Sequence, residues 1–207
     1  MRIRITFAKA GALRYIGHLD LHRMWERVTR RAGLSLSYTQ GFHPQPKIQL
    51  AAALPLGFSS RCELVDMWVD GPVDLESLPN KLQESVPPGL TILAITSVEE
   101  KGPPLQTQIL SSEYEIDLLQ GFDSSELEPK ISNTLSASTL PRERRGKAYD
   151  LRPLIEQLEF AGPERLVMRL AAREGATGRP EEVLDVLGVH LEDVKIERTL
   201  LIFKRQE

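Results

Sequence analysis

Arg23, Arg27, Arg30 and Arg31 recur at spacings that gather them on one side of a helix, opposite Leu21, Met24, Trp25 and Val28. Guanidinium groups stay charged and donate paired hydrogen bonds, so a stripe of them suits phosphate oxygens; it equally suits a solvated helix face paired with Glu26. The segment that follows adds Tyr38, Phe42 and His43, planar side chains on which bases stack, with Lys47 beside them in a Gly-Phe-His-Pro-Gln-Pro context. Pro44 and Pro46 restrict this backbone and Gly41 permits an unusual turn, so the loop is expected to be ordered before any ligand arrives. A second basic run, Pro-Arg-Glu-Arg-Arg-Gly-Lys at 141–147, precedes Arg152. It either extends an electropositive surface, with Arg145, Lys147 and Arg152 as anion contacts, or forms a solvated loop.

His18, His22 and Glu26 lie four residues apart and share a helix side, a spacing at which two imidazoles can ligate zinc. No feature fixes a third ligand, and the expectation is of no metal and no cofactor. His18 and His43, with Tyr38, are also the candidate acid–base set of a metal-independent ribonuclease, because imidazole titrates near neutral pH. No nucleophile elbow, phosphate-cradling glycine loop or paired-carboxylate signature accompanies them.

These residues need elements to hold them. Ile3, Ile5 and Phe7 alternate with basic or polar residues, the period-two pattern of a strand with one buried face. A helix is expected over 18–32, with Asp20 in its first turn, Arg30 and Arg31 in its last, and Gly33 as its stop. Strands over 48–53 and 63–69, a helix over 74–85 and a strand over 90–98 complete the order β-α-β-β-α-β. The Glu-Glu-Lys-Gly-Pro-Pro-Leu-Gln stretch at 99–106 has linker composition. Beyond it the same order recurs: strands near 114–118, 148–151, 166–172 and 194–203, one helix carrying Leu127, Ile131 and Leu135, and another opened by Pro180. Residues 156–160 fit a short helix as well as a strand. The expected fold is α+β, two tandem ferredoxin-like (βαββαβ) units over 1–100 and 107–207. Arg198, inside the last strand, is expected to be structural and to need Asp150 or Glu197 as partner.

The 207 residues, 41% hydrophobic and 27% charged, exclude wholesale disorder, and a lone Cys62 excludes a disulfide framework or a three-cysteine cluster. No apolar run is long enough for a membrane helix and the first residues lack a signal-peptide core, so a cytoplasmic, soluble protein is expected. The net charge of -3 conceals an asymmetry. Residues 1–50 hold nine Lys/Arg against two acids, +7, and the rest hold 17 against 27, -10. Such a division points to a polyanionic partner or to a solvated basic face.

The runs Phe7-x-Lys9-x-Gly11, Arg14-Tyr15-Ile16-Gly17-His18-Leu19-Asp20-Leu21-x-Arg23 and Arg30-Arg31-Ala32-Gly33-Leu34 carry a resemblance, together with Tyr38-x-x-Gly41-Phe42-His43-Pro44-x-Pro46-Lys47 and Leu54-Pro55-Leu56-Gly57. Sparser matches follow at Gly146-Lys147, Asp150-x-Arg152-Pro153 and Arg198-Thr199. The chain resembles the radical SAM-linked protein family, a domain of unknown function found alone or C-terminal to radical SAM proteins. The resemblance implies an accessory or substrate-recruiting module with a radical SAM protein as partner. Tandem ferredoxin-like endoribonucleases that process CRISPR repeats offer a looser, fold-level analogy. The function expected is an RNA-binding accessory module, with tRNA or rRNA as ligand, working with a radical SAM enzyme in RNA modification or processing. The alternatives are a ribonuclease using His18 and His43, and a purely protein-binding partner of the same enzyme.

Overall fold

In the computed structural model, residues 1–119 and 124–204 are described, and they divide into two compact units, Met1–Gln108 and Ile109–Glu207. The architecture is α+β. The alternating residues of the first strand behave as the pattern requires: in β1 (Arg2–Lys9) Ile3, Ile5 and Phe7 are fully buried. Helix α1 (His18–Arg31) buries Leu21, Trp25 and Val28 against them, with the Phe7 and Trp25 rings edge to face at 5.0 Å. Then come β2 (Ile48–Leu50), β3 (Ser59–Trp68), α2 (Leu78–Ser85) and β4 (Leu90–Val98). The strands lie in the order β4-β1-β3-β2, each pair antiparallel, and Val65, Met67, Leu78 and Leu82 complete the core.

Two elements of this unit are shorter than their apolar patterns suggest. The strand expected over 48–53 stops at Leu50, and the helix expected from Asp74 starts at Leu78. Before that helix, the Asp74 carboxylate accepts the Glu76 N–H at 3.0 Å, a local turn that competes with helix.

The second unit runs β5 (Ile109–Leu118), α3 (Ser124–Ser136), β6 (Pro141–Arg144), β7 (Lys147–Asp150), β8 (Ile155–Phe160), β9 (Arg165–Arg173), β10 (Ala176–Thr177), α4 (Pro180–Leu187) and β11 (Val194–Phe203). Its main strands lie in the order β11-β5-β9-β8, again antiparallel, with β10 pairing the far end of β9.

Here one expectation is corrected. The second strand of this sheet is Ile155–Phe160 and not the segment 148–151, most of which forms β7 in a separate hairpin with β6. Ile155 and Leu158 are both buried although three residues apart, because the β8–β9 register shifts between Ile155 and Gln157. An irregularity of that kind turns a period-two pattern into one that reads as helical.

The 99–106 segment, whose composition suggests a linker, is fastened to the first unit. The Arg2 guanidinium donates to the carbonyls of Gly102 and Pro103, each at 3.0 Å, and Leu105 is fully buried with its N–H on the Gln49 side chain. Among the described residues, no helix is long and apolar enough to cross a membrane.

Candidate functional site

The α1 stripe forms as its spacing requires. Arg23, Arg27, Arg30 and Arg31 are all exposed on the face away from Trp25 and Val28. Arg23 leans on Asp20 at 3.5 Å, whereas, among the described residues, Arg27, Arg30, Arg31 and Lys47 make no ion pair with a carboxylate. Lysine and arginine held apart from carboxylates keep their full charge for a ligand.

The loop that follows is built as an extension of the β3 edge. Ser37 N–H donates to the Trp68 carbonyl, Lys47 N–H donates to that of Ser37, and Trp68 N–H donates to that of Lys47, at 2.8, 2.8 and 3.1 Å. Tyr38 bridges to Pro46, and the Thr39 N–H reaches the Gln45 carbonyl at 2.9 Å while the Thr39 hydroxyl accepts the Gln45 N–H. At the tip Gly41 has φ +132, a conformation that side chains rarely adopt. The loop is thus closed on itself by its own hydrogen bonds. It leaves Phe42 fully exposed, His43 exposed and Tyr38 half exposed.

Two clefts flank Pro46. One, of about 340 Å³, lies between Glu26, Thr29 and Arg30 of α1 and the segment from Leu34 to Tyr38. The other, of about 370 Å³, is lined by Lys47, Gln49 and Trp68. Two of these residues, Thr29 and Trp68, carry no functional signal in the sequence. Thr29 and Trp68 sit in positions where a core role is the ordinary reading. Glu26 stands out in the sequence as a partner for arginine and as a neighbour of His18 and His22, while its place one turn before Arg30 puts both in one wall of the cleft.

Arg30 and Tyr38 are therefore brought together, with Lys47 next along the same loop. His18 is not among them. It is exposed at the start of α1, and the helix from His18 to Arg30 is about 18 Å long at about 1.5 Å per residue. His22 is held by Glu26 at 3.0 Å, and among the described residues no three His, Cys, Asp or Glu side chains gather as a metal set.

In the second unit the basic run is a two-residue hairpin turning on Arg145 and Gly146, both with positive φ (52 and 75). Arg145 and Lys147 are exposed at its tip. Behind them Arg142 pairs with Asp185 at 3.0 Å, and Arg144 makes a two-pronged bond to Glu182 while its plane lies over Tyr149. Burial first, then the Glu182 carboxylate, pushes the Tyr149 phenol above its ordinary value.

Arg152 is half-buried and bonded within its own unit. Its Nε and Nη2 both donate to the Leu135 carbonyl, at 3.0 and 2.7 Å, and its Nη1 donates to that of Ile155 at 3.0 Å. It ties the end of α3 to the start of β8, with Nε, Nη1 and Nη2 each donating to a backbone carbonyl. Arg198 is buried, as a structural arginine should be, while the Asp150 carboxylate accepts the N–H groups of Leu140 and Arg152.

Comparison with known proteins adds one firm result. Two solved structures resemble the chain at low similarity. An unknown protein from Galdieria sulphuraria is 15% identical, with 96% of this chain and 98% of that one covered, at a TM-score of 0.28. A putative glycine cleavage system transcriptional repressor is 13% identical, with 98% of each chain covered, at 0.24. At such scores neither bears on fold or site. No curated protein matches the chain. A family model described as "Uncharacterized protein conserved in bacteria (DUF2344)" matches residues 2–180, and the chain belongs to that family.

Proposed function

We propose that this protein is an RNA-binding accessory module, built as two ferredoxin-like units in tandem, that presents RNA to a radical SAM enzyme. The strand orders β4-β1-β3-β2 and β11-β5-β9-β8, each alternating with two helices, support the fold. The observation that carries the function is the juxtaposition of cations that have no carboxylate partner among the described residues, Arg27, Arg30, Arg31 and Lys47, with the exposed rings of Tyr38 and Phe42 on a loop already closed by hydrogen bonds. Cations alone suit any polyanion. Exposed rings on a preformed loop favour unstacked bases, and preorganisation lowers the entropic cost of binding them.

The test is a salt titration of RNA binding by the wild type and an Arg27→Ala/Arg31→Ala variant. Removing two contacts to single-stranded phosphates should weaken binding and reduce the salt slope by about 1.4, at about 0.7 per phosphate. Weak, salt-insensitive binding by both proteins overturns this reading.

One observation favours docking to the protein partner as a second role of the same unit. Tyr15, Leu19 and Leu56 are large apolar side chains 62–73% exposed, and the Gly57 N–H fastens the Leu56 turn to the Arg14 carbonyl at 2.9 Å. Copurification with a radical SAM enzyme that survives nuclease treatment, and is lost in Tyr15→Ser/Leu56→Ser, supports that role. RNA-dependent copurification assigns the contact to the RNA instead.

A further inference from the structure

We propose that the cleft between α1 and the Leu34–Tyr38 segment is a base pocket selective for guanine in single-stranded RNA, an inference that rests on the RNA-binding reading above. Its size, about 340 Å³, falls within the range of about 300–1,000 Å³ typical of small-ligand sites. Its walls divide by chemistry. Leu34, Leu36, Pro46 and the half-exposed Tyr38 ring supply flat or apolar surface of the kind on which a base stacks.

The polar groups are few. Thr29 is fully occupied as a donor, because its hydroxyl lies 3.0 Å from the Trp25 carbonyl and 3.1 Å from that of Glu26. Of the rest, the Ser35 and Tyr38 hydroxyls can each donate or accept, so the fixed polarity of the cleft comes from the Glu26 carboxylate and the Arg30 guanidinium, one turn apart on the same wall. Glu26 is steadied by His22, whose Nδ1 stands 3.0 Å from Oε1, and a carboxylate has about four acceptor positions, so capacity remains for a ligand. Arg30 pairs with no carboxylate among the described residues.

An acceptor-only group beside a donor-only group selects among bases by the order of donors and acceptors on their edges. Guanine presents O6, N1–H and N2–H in sequence, one acceptor followed by two adjacent donors. Arg30 donates to O6, and Glu26 accepts from N1–H and N2–H. Adenine and cytosine set a ring-nitrogen acceptor beside their single exocyclic donor, which turns a lone pair toward the carboxylate. Uracil flanks its one N–H with two carbonyls. Each of these alternatives leaves Glu26 facing at least one acceptor and short of one donor, which costs affinity through unmatched, desolvated groups.

The probes are fluorescein-labelled oligouridylates carrying one central guanosine, adenosine or inosine, with binding read by anisotropy at fixed salt. The guanosine probe should bind about tenfold tighter than the adenosine probe, as one bidentate base contact provides. Inosine keeps O6 and N1–H but lacks the N2 amino group, and should fall between them. Glu26→Gln should bring guanosine and adenosine to within about twofold, while retaining the salt dependence set by the arginines.

The inosine comparison uses wild-type protein throughout and so does not depend on how the variant folds. Equal affinity for all three probes with salt dependence intact, or a preference that survives Glu26→Gln, overturns the guanine pocket and leaves the RNA-binding reading standing. Absence of salt-dependent binding to every probe overturns both.

Discussion

Arg2 and Arg4 on β1 and Arg27, Arg30 and Arg31 on α1 contribute alike to the +7 of the first fifty residues, and they do opposite things. Arg2 is 1% exposed and donates from Nε and Nη2 to Asp66, itself fully buried, at 2.9 and 2.6 Å. Arg4 spans both oxygens of the same carboxylate, Nε donating to Oδ1 at 2.8 Å and Nη2 to Oδ2 at 2.9 Å, and Arg2 lies over the Trp68 ring at 4.7 Å. Two guanidiniums on one carboxylate form a structural knot that also grips the 99–103 backbone. The α1 arginines, in contrast, stand in water. Net charge counts both sets equally; only the second can act at a distance or receive a ligand.

The largest expected effect breaks the first set. Asp66→Ala removes the carboxylate shared by two guanidiniums, one of them fully buried, and should cost about 3–5 kcal/mol in urea unfolding. Arg27→Ala/Arg31→Ala should stay within about 0.5 kcal/mol of wild type in the same assay, because surface charges outside any network contribute little to folding. If the two variants lose similar stability, the division between structural and ligand-ready arginines fails.

The hairpin of the second unit tests an intermediate case. Arg144 has Glu182, the Thr177 carbonyl and the Tyr149 hydroxyl as acceptors, and its ion pair is 27% and 18% exposed. Its removal is predicted to cost about 1.5–3 kcal/mol, the range of charge-assisted hydrogen bonds. A double-mutant cycle with Glu182→Ala should recover most of that loss as coupling. A cycle near zero would move Arg144 into the solvent-facing class with Arg145 and Lys147.

How much of this was legible beforehand follows from where each signal resides. The α1 stripe and its apolar back are local, fixed by the 3.6-residue period, and the sequence displays both. Pro44, Pro46 and Gly41 mark the 37–47 segment as a constrained loop in the sequence, although its pairing to the β3 edge leaves no mark there, since Ser37 and Trp68 are far apart in the chain. The identity of β8 was hidden by a register shift that no single strand reveals alone. Arg152 looked like Arg145 because a charge in sequence carries no record of whether carbonyls surround it. Glu26 looked like a partner for the stripe, and its cleft position depends on Leu34–Tyr38 folding back along α1.

The smallest prediction concerns a carboxylate that the second unit holds at a disadvantage. Glu181 lies in the first turn of α4, only 24% exposed, and its Oε2 is buried without a hydrogen-bond partner. Burial, the dominant cause, raises its pKa above the ordinary carboxylate value, against the opposing pull of its own backbone N–H and of Arg179. The folded state therefore binds this proton more tightly than the unfolded chain does. Stability should be greatest below the unfolded pKa and should decline as pH rises through the interval between that value and the raised folded one, because ionising the native group costs desolvation. Glu181→Gln removes the ionisation, so the variant should match or slightly exceed wild type at neutral pH, and the difference should shrink as pH falls into the carboxylate range. Chemical denaturation at a series of pH values measures it. A variant less stable at neutral pH than in acid, relative to wild type, would mean that the charge of Glu181 is a useful partner for Arg179 and that α4, like β1, draws stability from its ion pairs.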